Sequence, residues 1–224
     1  RAYYRTRDNN FNINGFLGFD IHGKTIGVIG TGKIGQIFCR IMHGFGARIL
    51  AYDPYPNASL AQNSGVEYTP LDTLYAQSDI ISLHCPLTPE NVHLINAKSI
   101  EQMKPNVLII NTGRGKLIDT RDLVKALKTG RIGGAGLDVY EEEDKYFFED
   151  RSSEIIQDDI LVRLLSFPNV LVTSHQAFFT QEAMTAIAQT TLENLRRFFD
   201  GAALENEICQ HCTNHPARCS RQTD

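Results

Sequence analysis

The stretch Thr25-Ile-Gly-Val-Ile-Gly-Thr-Gly-Lys-Ile-Gly35, followed by Ala47-Arg-Ile-Leu-Ala-Tyr-Asp53, decides the fold of this chain. An apolar run of strand length, three glycines in the order G-x-G-x-x-G, a helical pattern and a second apolar run ending in an acid compose a βαβ unit. Gly30 allows the tight turn out of the first strand, Gly32 lets backbone approach a pyrophosphate, and Gly35 lets the helix pack closely on the sheet. The helix opening near Lys33 carries Ile34, Ile37, Phe38, Ile41 and Met42 at helical spacing. Its free N–H groups and positive dipole end therefore point at the phosphates. Asp53 stands about 20 residues beyond the glycines, where an acid accepts hydrogen bonds from ribose hydroxyls and repels a 2′-phosphate. The pattern implies NAD rather than NADP as ligand. A glycine-rich turn in another α/β protein also satisfies G-x-G-x-x-G; the flanking strand, helix and acid make the match specific.

Outward from this unit, short apolar runs keep alternating with helical segments. Strands are predicted at 25–29, 48–52, 66–68, 80–84, 107–111, 133–139 and 170–173. The rhythm implies an α/β, Rossmann-like, doubly wound parallel sheet of about seven strands with helices on both faces. A helix over 120–129 has Asp119 to cap its start and Gly130 after its end. A longer one over 181–199 places Met184, Ile187, Ala188, Leu192, Leu195 and Phe198 on one stripe and stops at Gly201. The expected organisation is a dinucleotide-binding domain over 1–201, a return segment over 202–208 and a Cys/His-containing, unstructured tail over 209–224. The segment Glu141-Glu-Glu-Asp-Lys-Tyr-Phe-Phe-Glu-Asp150 follows a strand and is too long for an ordinary connection. In a doubly wound sheet that edge is where ligand sites are built.

Composition narrows the function. A net charge of −4 over 224 residues argues against nucleic acid as the main partner. No apolar run reaches the roughly 18 residues a membrane span needs, and no signal sequence opens the chain, so a soluble, cytoplasmic protein is expected. The opening Arg1-Ala-Tyr-Tyr-Arg-Thr-Arg-Asp8 reads as a helix already under way, and the chain is expected to be a fragment lacking its natural N-terminus. Cys39 and Cys85, on an apolar helix and at a strand end, suit small hydrophobes rather than a disulfide framework.

Three polar residues fall at or just after late strands: Arg114 in Asn111-Thr-Gly-Arg-Gly115, Glu143 in Asp138-Val-Tyr-Glu-Glu-Glu143, and His175 in Thr173-Ser-His-Gln-Ala177. Hydride transfer between a nicotinamide and a 2-oxo acid needs a carboxylate clamp, a proton donor and a group that keeps the donor charged. Arg114 offers two parallel donors, His175 a proton, and Glu143 the orienting charge. Each also has a plainer reading: a solvated turn, part of an acidic face, and a core histidine. Their joint placement after three strands of one sheet favours the functional reading.

Those three segments, with Gly30-Thr-Gly-Lys-Ile-Gly35, Ser82-Leu-His-Cys-Pro-Leu-Thr-Pro89 and His175-Gln-Ala-Phe-Phe179, resemble the D-2-hydroxyacid dehydrogenases from residue 1 to about 208. Tyr146-Phe-Phe-Glu-Asp150 and Gln157-Asp-Asp159 are most similar to the family's fermentative, NAD-dependent D-lactate dehydrogenases. The resemblance implies reduction of pyruvate to D-lactate with Arg114, Glu143 and His175 as catalytic residues. It also implies cofactor contacts from Lys33 and Ile34 at the pyrophosphate, Cys85, Pro86 and Asn91 along the groove, and Thr112, Gly113 and Asp138 near the nicotinamide. Phe178 would lie by the substrate methyl group. Pyruvate is favoured, with bulkier 2-oxo acids left open, and the resemblance implies a possible homodimer using surfaces of this domain, including the helix after Arg40 and neighbouring segments. An alternative within the same fold is a dinucleotide-sensing corepressor, from which residues 140–150 with Phe178 and Phe179 differ.

Two departures stand against the resemblance. The family's separate substrate domain is built mainly from about 100 residues ahead of this segment, so the isolated chain is expected to bind NADH and turn over poorly. After Ile208 come Cys209, Cys212, His215 and Cys219, whose spacing is tighter than common zinc sites; an unstructured extension is favoured and no metal is assigned.

Overall fold

The structure, a computed structural model, describes residues 1–207. Its centre is a parallel sheet formed by β1 (Thr25–Ile29), β2 (Arg48–Tyr52), β3 (Val66–Tyr68), β4 (Ile80–Leu83), β5 (Val107–Asn111), β6 (Ile132–Leu137) and β7 (Val170–Val172). These seven lie in the order β3-β2-β1-β4-β5-β6-β7. The order reverses between β1 and β4, which opens a crevice at the carboxyl edge of the sheet. The helices are α1 (Ala2–Arg7), α2 (Lys33–Gly44), α3 (Ala58–Ser64), α4 (Leu71–Gln77), α5 (Ala97–Gln102), α6 (Thr120–Lys128), α7 (Asp159–Ser166) and α8 (Gln181–Phe199).

Because side chains alternate across a strand, each strand feeds two cores. Ile26 and Val28 of β1 join Ile49 and Ala51 of β2, Cys39 of α2 and Leu60 of α3 on one face. Ile29 and Leu50 turn to the other, with Leu74 of α4, Ile100 of α5, Leu123 of α6 and Leu164 of α7. Both faces are therefore covered by helices, and the strands read as near-continuous apolar runs. Each fully buried Leu or Ile contributes about 1.5–3 kcal/mol through this burial.

The sheet matches the sequence reading, with shifted bounds in three strands. β4 stops at Leu83 and β7 at Val172, and β6 covers Ile132–Leu137 rather than 133–139. In each case the chain leaves the ladder at the carboxyl edge. There His84, Asp138 and Thr173 keep one backbone bond to the neighbouring strand, while Asp138 and Thr173 pair side chain to side chain. On α2, the buried residues are Gly35 and Cys39, with Phe38 and Met42 packed against them. Ile34, Ile37 and Ile41 are exposed instead. The apolar stripe of this helix is thus wider than its contact with the sheet.

The described residues divide into two compact units, Arg1–Ala177 and a second that begins at Phe178. The sheet lies wholly in the first. In the second, the Thr180 hydroxyl accepts from the Ala183 amide to start α8, and Gly201 with φ of +66° follows its end.

Candidate functional site

The loop between β1 and α2 forms the glycine cradle. Gly30 has φ of +96°, and a Cβ on it would stand 2.5 Å from the Cys85 amide nitrogen; one on Gly35 would stand 2.1 Å from the Gly30 carbonyl oxygen. Gly35 thus brings the helix against the turn. A Cβ on Gly32, the N-cap of α2, would meet no atom within 4 Å. That open side is where a pyrophosphate would approach the N–H groups of a helix end. Lys33 and Ile34 open the helix beside it, both exposed. A cavity of about 590 Å³ runs from this loop along the sheet edge, lined among others by Gly30, Gly32, Asp53, Cys85, Pro86 and Asn91. The cradle and the cavity fit a dinucleotide.

Asp53 is already engaged. Its Oδ2 accepts the Thr31 amide at 2.7 Å and the Thr31 hydroxyl at 3.0 Å, and its Oδ1 accepts the Tyr55 amide at 2.9 Å. Across the groove, the Asn91 amide donates to the Pro86 carbonyl at 2.8 Å, and Asn91 Oδ1 accepts from Thr88. Burial pushes the Cys85 thiol above its usual range, which makes it an apolar wall rather than a nucleophile. His84, just before it, pairs with the Ser82 hydroxyl at 2.9 Å and lies on the Phe38 ring. Burial pushes its imidazole down to about 4, so it is uncharged at neutral pH. Sequence reasoning missed His84; its place beside Cys85 at a strand end was the available signal.

The other half of the site lies beyond β5, β6 and β7. Asn111 closes a turn by accepting from Gly113 at 3.0 Å and donating to the Arg114 carbonyl at 2.9 Å. Thr112 and Arg114 are exposed on this turn, and the guanidinium donates to the Gly113 carbonyl at 2.8 Å. A Cβ on Gly115 would stand 2.1 Å from the Tyr140 carbonyl oxygen, so this loop packs directly on the next one. There the Tyr140 amide donates to Glu143 Oε2 at 2.9 Å, and Glu143 Oε1 lies 3.0 Å from His175 Nδ1.

His175 has φ of +52°, a conformation unfavourable for any residue with a Cβ. Asp138 holds it there. The Asp138 carbonyl accepts the His175 amide at 2.7 Å. Its carboxylate accepts the Thr173 hydroxyl and the amides of Gln176 and Ala177. Burial raises the Asp138 pKa, but the Thr173 and backbone hydrogen bonds and the nearby His175 outweigh it, leaving the carboxyl below its ordinary value. The structure therefore joins Glu143 and His175 directly and ties the Arg114 loop to them through Gly115 and Tyr140. Phe178 falls in the second unit.

Two neighbours escaped sequence reasoning. Phe148, with φ of +69°, places its ring 6.0 Å from that of His175. His93 pairs with Glu141 at 2.7 Å, fastening the start of the acidic segment to the loop after β4. Nothing in their spacing distinguished either from surface residues. Among the described residues no cluster of three or more His, Cys, Asp or Glu could hold a metal ion, and no helix is long and apolar enough to cross a membrane. The Cys/His tail over 209–224 lies outside the described residues.

Cradle and switch-point crevice define a dinucleotide-binding α/β domain, with a histidine–carboxylate pair at the same sheet edge. The family described as "D-isomer specific 2-hydroxyacid dehydrogenase, NAD binding domain" matches residues 1–177, and the chain belongs to that family, whose cofactor is NAD. It is 57% identical over 208 residues to D-lactate dehydrogenase of Escherichia coli (strain K12), covering 93% of this chain and 63% of that protein. A 2-hydroxyacid dehydrogenase homolog of Haemophilus influenzae is 54% identical, with 93% and 62% covered. Among solved structures, the D-lactate dehydrogenase of Lactobacillus jensenii with NAD+ superposes with a TM-score of 0.83 at 32% identity, covering 93% of this chain and 63% of that one. The apo D-lactate dehydrogenase of Escherichia coli gives 0.81 at 51% identity, with 93% and 61% covered. The chain thus spans less than two thirds of the length of these relatives.

Proposed function

We propose that this chain is the NAD-binding part of a D-lactate dehydrogenase that reduces pyruvate, a small 2-oxo acid, to D-lactate. The observation that carries the reading is the 3.0 Å contact between His175 Nδ1 and Glu143 Oε1 at the carboxyl edge of the sheet. A carboxylate on one ring nitrogen fixes the orientation of the imidazole and leaves the proton-transfer role to the other nitrogen. Bound NADH supplies the hydride. His175 gives the keto oxygen its proton, and takes it back in lactate oxidation, where it starts neutral. Arg114, on an exposed turn, releases its bond to Gly113 and clamps the substrate carboxylate with two parallel donors. Thr112, Gly113 and Asp138 border the nicotinamide. Lys33 and Ile34 meet the pyrophosphate, Asp53 the ribose, and Cys85, Pro86 and Asn91 wall the groove.

In this reading 1–201 is the cofactor domain and 202–208 the return segment, and the substrate-side wall belongs to the further length that the relatives possess. The exposed stripe Ile34, Ile37 and Ile41 supports a homodimer using α2. The test is NADH fluorescence titration of the 224-residue chain, followed by pyruvate while nicotinamide absorbance is watched. Saturable binding with slow oxidation is expected, and His175→Gln should bind equally while losing the oxidation at least 100-fold. Absence of NADH binding, or undiminished oxidation by His175→Gln, would sink the proposal.

A further inference from the structure

The nearest partner of Asp53 is Thr31, the residue between the first two glycines. Thr31 is 4% exposed, and both its amide and its hydroxyl donate to Asp53 Oδ2. Since that hydroxyl has one proton and has spent it on the carboxylate, its 2.9 Å contact with the Tyr68 hydroxyl must be donated by Tyr68. The Tyr68 oxygen in turn accepts the Asn57 amide at 3.0 Å. A one-way chain therefore runs from Asn57 N–H through the Tyr68 and Thr31 hydroxyls to Asp53, linking the end of β3 to the glycine loop. Each bond in such a chain polarises the next.

We propose that Tyr68, acting through Thr31, is a positioning residue that fixes the Asp53 carboxylate for the adenosine ribose of the dinucleotide. The proposal rests on the reading of Asp53 as the ribose acceptor. An ionised carboxylate has about four acceptor positions, and Thr31 and Tyr55 fill three, so what remains is directed at the cavity that Asp53 and Gly32 both line. Were the carboxylate to rotate, the ribose would lose its acceptor although the charge stayed in place. The Thr31 hydroxyl adds to the Thr31 and Tyr55 amides in resisting that rotation, and the Tyr68 hydroxyl keeps the Thr31 hydroxyl from turning away. Tyr68 is half-buried at the end of β3, where its backbone pairs with Ala51, two residues before Asp53. Its hydroxyl thus comes from the strand beside the acid, which a lone glycine motif does not specify.

A double-mutant cycle on the full 224-residue chain, read by NADH fluorescence titration, tests this. Tyr68→Phe removes one hydrogen-bonding hydroxyl and should weaken NADH binding about five-fold. In an Asp53→Ala background the same change should alter binding less than two-fold, because the group it positions is gone. Thr31→Val should repeat that pattern, and Thr31→Ser should restore the wild-type value. NADH binding unaffected by Tyr68→Phe, or weakened equally in both backgrounds, overturns the proposal and leaves Tyr68 a structural residue of β3. If Asp53→Ala itself does not weaken NADH, the ribose reading fails first, and the proposal with it. Should Tyr68→Phe not fold, the Thr31 pair of variants decides the same question.

Discussion

At the residue scale, the contact between Glu143 and His175 depends on Asp138 holding a strained neighbour. His175 sits at φ of +52°, and its own amide and the two that follow it bond to Asp138. Strain of this kind costs on the order of 1–3 kcal/mol and persists only where surrounding bonds impose it. His84 contributes a pH dependence to stability. His84 is pushed down to about 4 by burial, against 6.5 when solvated. Below pH 6.5 the unfolded chain binds a proton there that the folded chain refuses until about pH 4, so the stability contributed by neutral His84 is complete above 6.5 and is lost as pH falls. At about 1.4 kcal/mol per unit, the urea-derived stability gap between wild type and His84→Gln should narrow by about 1–2 kcal/mol between pH 7.5 and 5.0. A gap independent of pH would mean that His84 carries no such burial.

At the element scale, the helix starts are set by local chemistry. Asp119 Oδ1 accepts the Asp122 amide at 3.0 Å and begins α6, and Asp158 Oδ1 accepts the amides of Ile160 and Leu161 and begins α7. Asp158 also accepts the Tyr140 hydroxyl at 2.7 Å, so one cap pins the far end of the segment that carries Glu143. Asp119→Ala should cost about 1 kcal/mol and lower the Tm by roughly 2–4 °C in thermal unfolding. A drop well beyond that would mean the nearby His93, 3.6 Å from Asp119, also depends on it. The start at Asp119 was legible because an acid before a helical run needs no tertiary partner. The exposed stripe on α2 was not, because spacing alone cannot tell a sheet-facing isoleucine from one that faces outward.

At the scale of the molecule, the cofactor should couple to folding of the first unit, whose sheet edge forms the cradle. A ligand at 100 times its Kd stabilises by about 2.7 kcal/mol. NADH at that excess should therefore raise the Tm by roughly 5–10 °C, while NADPH at the same concentration should not, because Asp53 meets its 2′-phosphate with like charge. Equal shifts with both would remove Asp53 as the selecting residue. By itself the sequence determined the parallel α/β fold, the cradle, the acid after β2 and the candidacy of Arg114, Glu143 and His175, because glycine spacing, strand alternation and capping are local patterns. Only the tertiary structure decided that Glu143 and His175 touch, that Asp138 spends its carboxylate on their turn, and that Tyr68 stands behind Thr31. Those contacts join residues 32 to 39 positions apart. Parallel strands bring such residues together across intervening helices, and the side-chain geometry there is fixed by packing that no local pattern records.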